Sequence, residues 1–168
     1  RDYTEMAVLG ATRDDAAGEC FDKVARVLGI GYPGGAPMDR LSRTGDAGRY
    51  AFPRVQVHDA PLDMSFSGLK TAAINLIHNA RQKEEALDLP SLAASFSAAD
   101  SDMLVPRVME AARRCGRRKV AVAGGVAANS HIRADLEAAC AAAGCRLYLP
   151  PLSLCGDNGA MIGCQAYY

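Results

Sequence analysis

Residues 120–129, with the sequence VAVAGGVAAN, decide the fold class of this chain. The apolar run is typical of a buried strand, and the paired glycines that follow it indicate a tight turn. Residues 129–143 then carry apolar side chains at helical spacing, and residues 146–149 have the composition of a second strand. A strand, a helix and another strand in this order favour parallel strands covered by helices, so the sequence predicts an α/β fold.

Before this region, three stretches have apolar residues at helical spacing: 17–28, 67–80 and 90–114. Pro106 lies inside the last of them, where an interior proline costs ~3 kcal/mol, so we expect a kink or a break there. Residues 6–9 have the composition of the tail of a strand.

The remaining segments give weaker signals. Residues 29–37 are loop by composition, residues 38–43 predict a single helical turn, and Val55 and Val57 suggest a short strand. At the other end, Asp157 is expected to open a terminal helix.

Composition places the chain in a broad class. The 168 residues are 49% hydrophobic and 23% charged, which is ordinary for a globular protein. Lysine plus arginine and aspartate plus glutamate each number 19, so no global charge draws the chain to nucleic acid or to a membrane. The longest apolar stretch is too short to span a bilayer. The six cysteines show no C-x-x-C spacing, which favours reduced thiols and a cytoplasmic location.

Two turns are candidate ligand sites, each with two interpretations that the sequence leaves open. Gly124, Gly125 and Asn129 could bind a nucleotide at a helix N-terminus, or Asn129 could simply cap the helix that follows the turn. Asp157 could hold a metal at the carboxyl end of the final strand, or it could be an N-cap residue.

Two charged segments are equally ambiguous. Asp22 could form a solvated pair with Arg26, or it could face a ribose with Gly34 and Gly35 on the opposite side. The basic residues within 113–119 could contact a phosphate backbone, or they could complement a helix dipole in water.

Five motifs follow one another along the chain: DDAAGECFDK (14–23), GYPGG (31–35), FSGLKT (66–71), AGGVAAN (123–129) and CGDNGAMI (155–162). In this order they resemble the TsaD family, the tRNA adenosine threonylcarbamoyltransferases long described as O-sialoglycoprotein endopeptidases. Any one of them is weak, but five in order are specific, and they extend over most of the chain.

The resemblance implies an ASKHA architecture, which is the actin-like, RNase H-like fold with two lobes around a nucleotide and a metal. Residues 1–168 would be a single partial domain from the second lobe, with a partial sheet and a helical insertion at about 38–115. The implied reaction moves threonylcarbamoyl from threonylcarbamoyl-AMP to N6 of adenosine 37 in tRNAs that read codons beginning with A. The implied partners are tRNA, an inactive paralogue and a small ATPase, with no membrane.

The resemblance also assigns roles to particular residues. Asp22, Gly35, Asp39 and Asn129 are expected to contact the adenylate, with Gly124 and Gly125 in the glycine turn beside them. Asp157 is expected to be one ligand of an iron or zinc ion.

The chain departs from the family pattern in its metal ligands. It contains no H-x-x-x-H pair, which supplies the other two metal ligands in the family, so we expect this fragment alone to be inactive. A metal-dependent glycoprotease and a non-catalytic ASKHA scaffold are the alternative functions. An unpaired sheet edge near residues 6–9 leads us to expect self-association.

Overall fold

A computed structural model describes residues 5–168 as helices packed around a small parallel sheet. The first part contains four helices: α1 (Ala17–Leu28), α2 (Gly35–Ser42), α3 (Ser67–Gln82) and α4 (Leu89–Arg114). The second part contains β1 (Lys119–Ala121), a 3₁₀ turn (Gly125–Ala128), α5 (Ser130–Ala142), β2 (Arg146–Tyr148), a second 3₁₀ turn (Leu152–Leu154) and α6 (Gly159–Tyr167).

Strands β1 and β2 pair in parallel, as the order of elements predicted, with Val120 opposite Leu147 and α5 as the connection. Both strands are shorter than expected, although the Val122 N–H continues the ladder by donating to the Tyr148 carbonyl at 3.0 Å. Only the middle residue of β1 is buried, so the expectation of a fully buried strand is wrong. Exposed and buried residues alternate along β1, so one face of the sheet packs against the protein and the other face is exposed.

The expected strand at residues 6–9 is also wrong. This segment has no strand pairing, and Met6 and Val8 are 84% and 87% exposed. The first pairing along the described chain comes at Thr12, which forms an isolated parallel bridge with Met64. A strand needs a neighbouring strand whose backbone pairs with its N–H and C=O groups. The described residues provide no such neighbour for residues 6–9 or for residues 55–57. Self-association stays a prediction, but residues 6–9 do not form the unpaired strand edge on which it was based.

Two helix boundaries differ from the sequence prediction. Helix α2 begins at Gly35 rather than at residue 38. Pro37 fits the first turn of α2, because the N–H groups of a first turn have no partner within the helix and the missing N–H of proline costs nothing there. Helix α6 begins at Gly159, and its cap is Asn158, whose Oδ1 accepts the Met161 N–H at 3.1 Å. The N-cap interpretation of Asp157 is therefore wrong.

Helix α4 runs without a break through Pro106. Pro106 is exposed, while the flanking Met103 and Val105 are buried, and α4 packs extensively against both α2 and α5. Burial on both sides of the proline outweighs its local cost of ~3 kcal/mol, so the expected break is wrong. In the described part of the chain, neither α4 nor any other helix combines the length and apolar character needed to cross a bilayer.

The main core lies among the first four helices. Phe96 of α4 contacts Phe21 and Phe52 edge-to-face, with ring centroids 5.0 Å and 5.9 Å apart. A second cluster, formed by Val105, Ile132 and Leu136, joins α4 to α5. Helix α4 is therefore the element that connects the helical part of the molecule to the sheet.

Asp100 is the least expected residue of this core. It is fully buried on α4, and neither carboxylate oxygen has a hydrogen-bond partner among the described residues. Because burial penalises the charged form, it raises the pKa of Asp100 to about 7. The folded protein therefore favours the protonated carboxyl group.

We expect the free energy of unfolding to fall as the pH rises from about 4 to about 7, because the folded state binds the Asp100 proton more tightly than the unfolded state does. Asp100→Asn should remove this pH dependence and stabilise the protein by roughly 3 kcal/mol at pH 8. Urea unfolding followed by circular dichroism at several pH values measures both effects. Asp102→Asn, at an exposed position on the same helix, is the control. An unchanged pH profile in Asp100→Asn would contradict this account.

Candidate functional site

A cavity of about 770 Å³ lies between the helical part and the end of β1. Its walls come from the N-terminal halves of α1 and α2, from residues near the end of α2, and from the 3₁₀ turn that follows β1, with Leu152 of the second 3₁₀ turn beside them. Five of the residues proposed from the sequence line it: Asp22, Gly35, Asp39, Gly125 and Asn129. Gly124 precedes Gly125 in the chain but does not line the cavity. Asp157 does not line the cavity either.

Two features of the cavity favour an anionic group, and they lie beside the carboxylates of Asp22 and Asp39. The first turn of a helix has N–H groups without intrahelical partners and the positive end of the helix dipole, and α1 and α2 present such turns here. Arg40 and Arg43 also line the cavity. Sequence reasoning missed both arginines, although their positions five and eight residues after Gly35 were a signal that could have revealed them.

Asp22 shapes one side of the cavity. Its Oδ1 accepts the Gly34 N–H at 2.6 Å, which holds the start of α2 against α1. The expected surface pair with Arg26 is not what the structure shows, because the Arg26 guanidinium lies over the Tyr32 ring instead, 5.5 Å from its centroid. Asp22 lies directly against Gly34 rather than opposite it, and its role beside a ribose stays a prediction.

Asp39 joins two walls of the cavity. Its Oδ1 accepts hydrogen bonds from the backbone N–H and the hydroxyl of Ser130, at 2.6 Å and 2.7 Å, and its Oδ2 accepts from Arg43 at 2.7 Å. Burial opposes the ionisation of Asp39, but the Ser130 hydrogen bonds and the Arg43 charge outweigh it and lower the pKa of Asp39 from its usual value. The carboxylate thereby ties α2 to the start of α5.

The turn between β1 and α5 needs both glycine and Asn129. Gly124 has a φ of 94°, a conformation that other residues rarely adopt. Asn129 Oδ1 accepts the N–H groups of His131 and Ile132 at 3.0 Å and 3.1 Å, so Asn129 is the N-cap of α5. That cap does not use the amide NH₂ group, and Asn129 also lines the cavity, so the capping role leaves a donor for a ligand.

Two neighbouring carboxylates hold α1 against α3. Asp14 accepts the Phe66 N–H at 2.8 Å and the Ser67 hydroxyl at 2.7 Å, which caps α3. Desolvation raises the pKa of Asp14, but these bonds and those from Ser65 outweigh it and lower the pKa to about 2. Asp15 pairs with Lys70 and, at 2.6 Å, with Lys23. The first and third sequence motifs are therefore one connected network that positions the start of α1.

Asp157 lies in the exposed loop before α6. Within residues 5–168, no three histidine, cysteine, aspartate or glutamate side chains lie close enough together to hold a metal ion. The donor set that the structure describes does not fit a metal centre by itself, and we derive no reaction step through a metal.

The basic segment near the end of α4 makes local ion pairs. Arg113 and Arg114 both contact the Glu110 carboxylate, each at 2.7 Å, and both side chains are exposed. This arrangement is what solvated cations at a helix C-terminus show, and it adds no observation in favour of a phosphate contact.

The fold and the cavity define an α/β unit with a ligand cleft formed where helices begin. Comparison with known proteins identifies it further: residues 1–164 match the family model described as TsaD, tRNA N6-adenosine threonylcarbamoyltransferase. The chain therefore belongs to the TsaD family, as its motifs indicated.

Individual relatives agree. Proteins named tRNA N6-adenosine threonylcarbamoyltransferase from Moorella thermoacetica and Clostridium botulinum are 50% and 48% identical over 99% and 100% of this chain. One from Latilactobacillus sakei is 49% identical over 97% of it. In each case the chain spans about half of the relative's length. These names do not favour the glycoprotease alternative.

The two adjacent glycines at the start of α2 should respond differently to alanine. A Cβ at Gly34 would lie 2.2 Å from the Ala25 Cβ and 3.0 Å from the Phe21 carbonyl oxygen, whereas a Cβ at Gly35 would meet nothing within 4 Å. We expect Gly34→Ala to lower the free energy of unfolding by about 2 kcal/mol or more, because α1 and α2 must separate. Gly35→Ala, the matched control, should leave it unchanged or raise it by up to ~1 kcal/mol. Urea denaturation compares them, and equal effects would contradict this packing.

Proposed function

We propose that this chain is part of a tRNA-modifying enzyme that transfers threonylcarbamoyl from threonylcarbamoyl-AMP to N6 of adenosine 37, and that its cavity binds the adenylate portion. The observation that carries the proposal is the convergence of Asp22, Gly35, Asp39, Gly125 and Asn129 on one cavity. Four of these residues come from three separate motifs, and Asp39 lies four residues after the second motif. The family's named members are tRNA N6-adenosine threonylcarbamoyltransferases.

The proposed fold of the whole protein is the two-lobed ASKHA architecture, with this chain as most of the second lobe. Two findings support it: the parallel strands with their helical connection, and a cavity at the carboxyl end of β1, where open α/β sheets bind ligands. The helices α2, α3 and α4 would be the insertion at about 38–115.

In the proposed reaction, the N6 nitrogen of adenosine 37 forms a bond to the carbamoyl carbon of threonylcarbamoyl-AMP. The bond from that carbon to the phosphate oxygen breaks, AMP leaves with the electron pair, and N6 loses a proton. The role of this chain would be to hold the adenylate still, since fixed orientation supplies a large share of the rate in such transfers.

Particular groups support that positioning role. The Gly35 backbone meets no neighbour where a side chain would project, which leaves room for a ligand to approach it closely. The Asn129 amide NH₂ group would donate to the adenylate while its oxygen caps α5. Asp39 would act through Ser130, by keeping the turn that carries Asn129 against α2.

Asp157 remains the proposed ligand of an iron or zinc ion, as the resemblance implies. Its companion ligands would have to come from outside residues 5–168, since the described residues do not form a metal site by themselves. The proposed partners are tRNA, an inactive paralogue and a small ATPase in the cytoplasm.

We expect AMP to bind this chain saturably, with an affinity that isothermal titration calorimetry can measure. Gly35→Leu should weaken binding by about tenfold or more, because the side chain projects into open space beside the cavity wall. Gly159→Leu is the matched control, since Gly159 also begins a helix and also has nothing within 4 Å. Absence of saturable binding by the unaltered chain would contradict the adenylate proposal.

We expect no transfer by this chain alone, because a cleft open on one side does not exclude water and one carboxylate does not retain a metal ion. The assay contains unmodified tRNA, ATP, bicarbonate, threonine and the partner enzymes, and the modified nucleoside is measured by mass spectrometry. A full-length relative such as the Moorella thermoacetica protein is the positive control. Turnover by the 168-residue chain comparable to that control would show that the half-site interpretation is wrong.

A further inference from the structure

Arg133 makes a set of contacts that neither the motifs nor the cavity lining assigns to a function. It lies in the first turns of α5, and its side chain is half-buried. Its Nε donates to the Ala127 carbonyl, and its Nη2 donates to the Pro150 carbonyl at 2.6 Å and to the Cys155 sulfur at 3.3 Å. One planar guanidinium group therefore holds three acceptors that lie on two different loops.

These two loops are the ones that follow the two strands. Ala127 belongs to the turn after β1, which carries Asn129, whereas Pro150 and Cys155 belong to the segment after β2, which leads to Asp157. The backbone ladder ends where the Val122 N–H meets the Tyr148 carbonyl. Beyond that point, within residues 5–168, no backbone hydrogen bond joins the two loops. Beyond the end of the sheet, the Arg133 side chain connects the two loops by hydrogen bonds.

The acceptors on the second loop are themselves well defined. Cys155 is 3% exposed, and its thiol lies 3.6 Å from the Pro151 carbonyl, to which it donates. Hydrogen bonds from a charged donor are stronger than neutral ones, and the rigid guanidinium fork fixes direction as well as distance. A lysine, with a single nitrogen on a flexible stem, cannot satisfy the same three acceptors in one plane.

We propose that Arg133 is a positioning residue that holds the adenylate wall and the loop leading to Asp157 in one fixed arrangement. This inference rests on the proposed function of those two loops. Arg133 does not line the cavity, so it acts through Ala127 on one side and through Pro150 and Cys155 on the other.

Hydrogen exchange followed by mass spectrometry on the ligand-free chain tests the bridge directly. Arg133→Gln should raise the exchange rate about tenfold in peptides from both 124–129 and 150–157, while peptides from α3 stay unchanged. Arg133→Lys, which keeps the charge and most of the apolar stem, should loosen both loops in the same way. Arg146→Gln is the matched control, because Arg146 is an exposed cation on β2 that lies over the Tyr148 ring. Faster exchange in one loop only, or equally across α3, would overturn the proposal.

Chemical rescue separates positioning from a general loss of stability. Methylguanidinium added to Arg133→Ala should restore slow exchange in both loops together, whereas methylammonium should not, because only the guanidinium fork matches the three acceptors. Failure of methylguanidinium to restore both loops would also overturn the proposal.

AMP affinity, measured on the same variants, should fall about fivefold in Arg133→Gln and stay unchanged in Arg146→Gln. If the unaltered chain binds no AMP, the proposed function fails while the exchange experiment still decides the bridge. If AMP binds but its affinity is insensitive to Arg133→Gln, the positioning role is wrong.

Discussion

The parallel pairing of β1 with β2 is the constraint on which the rest of the site depends. Parallel strands end at the same edge, so the chain segments that follow them meet even though a whole helix separates them in sequence. The pairing is short, with three residues in each strand, and a ladder of this size holds two loops only near its last hydrogen bond. Side-chain hydrogen bonds must therefore hold the two loops together beyond the ladder. Arg133, on the helix that connects the strands, makes such bonds to both loops.

The two carboxylates that line the cavity hold its walls together. Asp22 and Asp39 both line the cavity, but each gives oxygens to N–H groups of the protein, at Gly34 and at Ser130. Asp22 thereby holds the start of α2 in place, and Asp39 holds the start of α5. The acidic residues that the motifs emphasise act first as structural links.

The helices were largely predictable, and the reason is local. The apolar stripes of α1 and α3 repeat within one or two turns, and α1 ends at Gly29, which has a left-handed backbone conformation. Predictions failed where a distant contact decided the outcome. Pro106 lies inside an unbroken helix because α4 packs on both sides of it, and residues 6–9 form no strand because the described residues provide no neighbour.

The amino-acid sequence by itself determined the family, the order of the helices and of the two paired strands, and the glycine turn at residues 124–125, because each depends on residue types at short spacing. Only the tertiary structure decided which polar groups meet. The Asp39 carboxylate bonds Ser130 across 91 residues, and the Arg133 guanidinium reaches Cys155 on another loop. Periodicity does not encode such contacts, since they exist only once the helices have packed and the strands have paired.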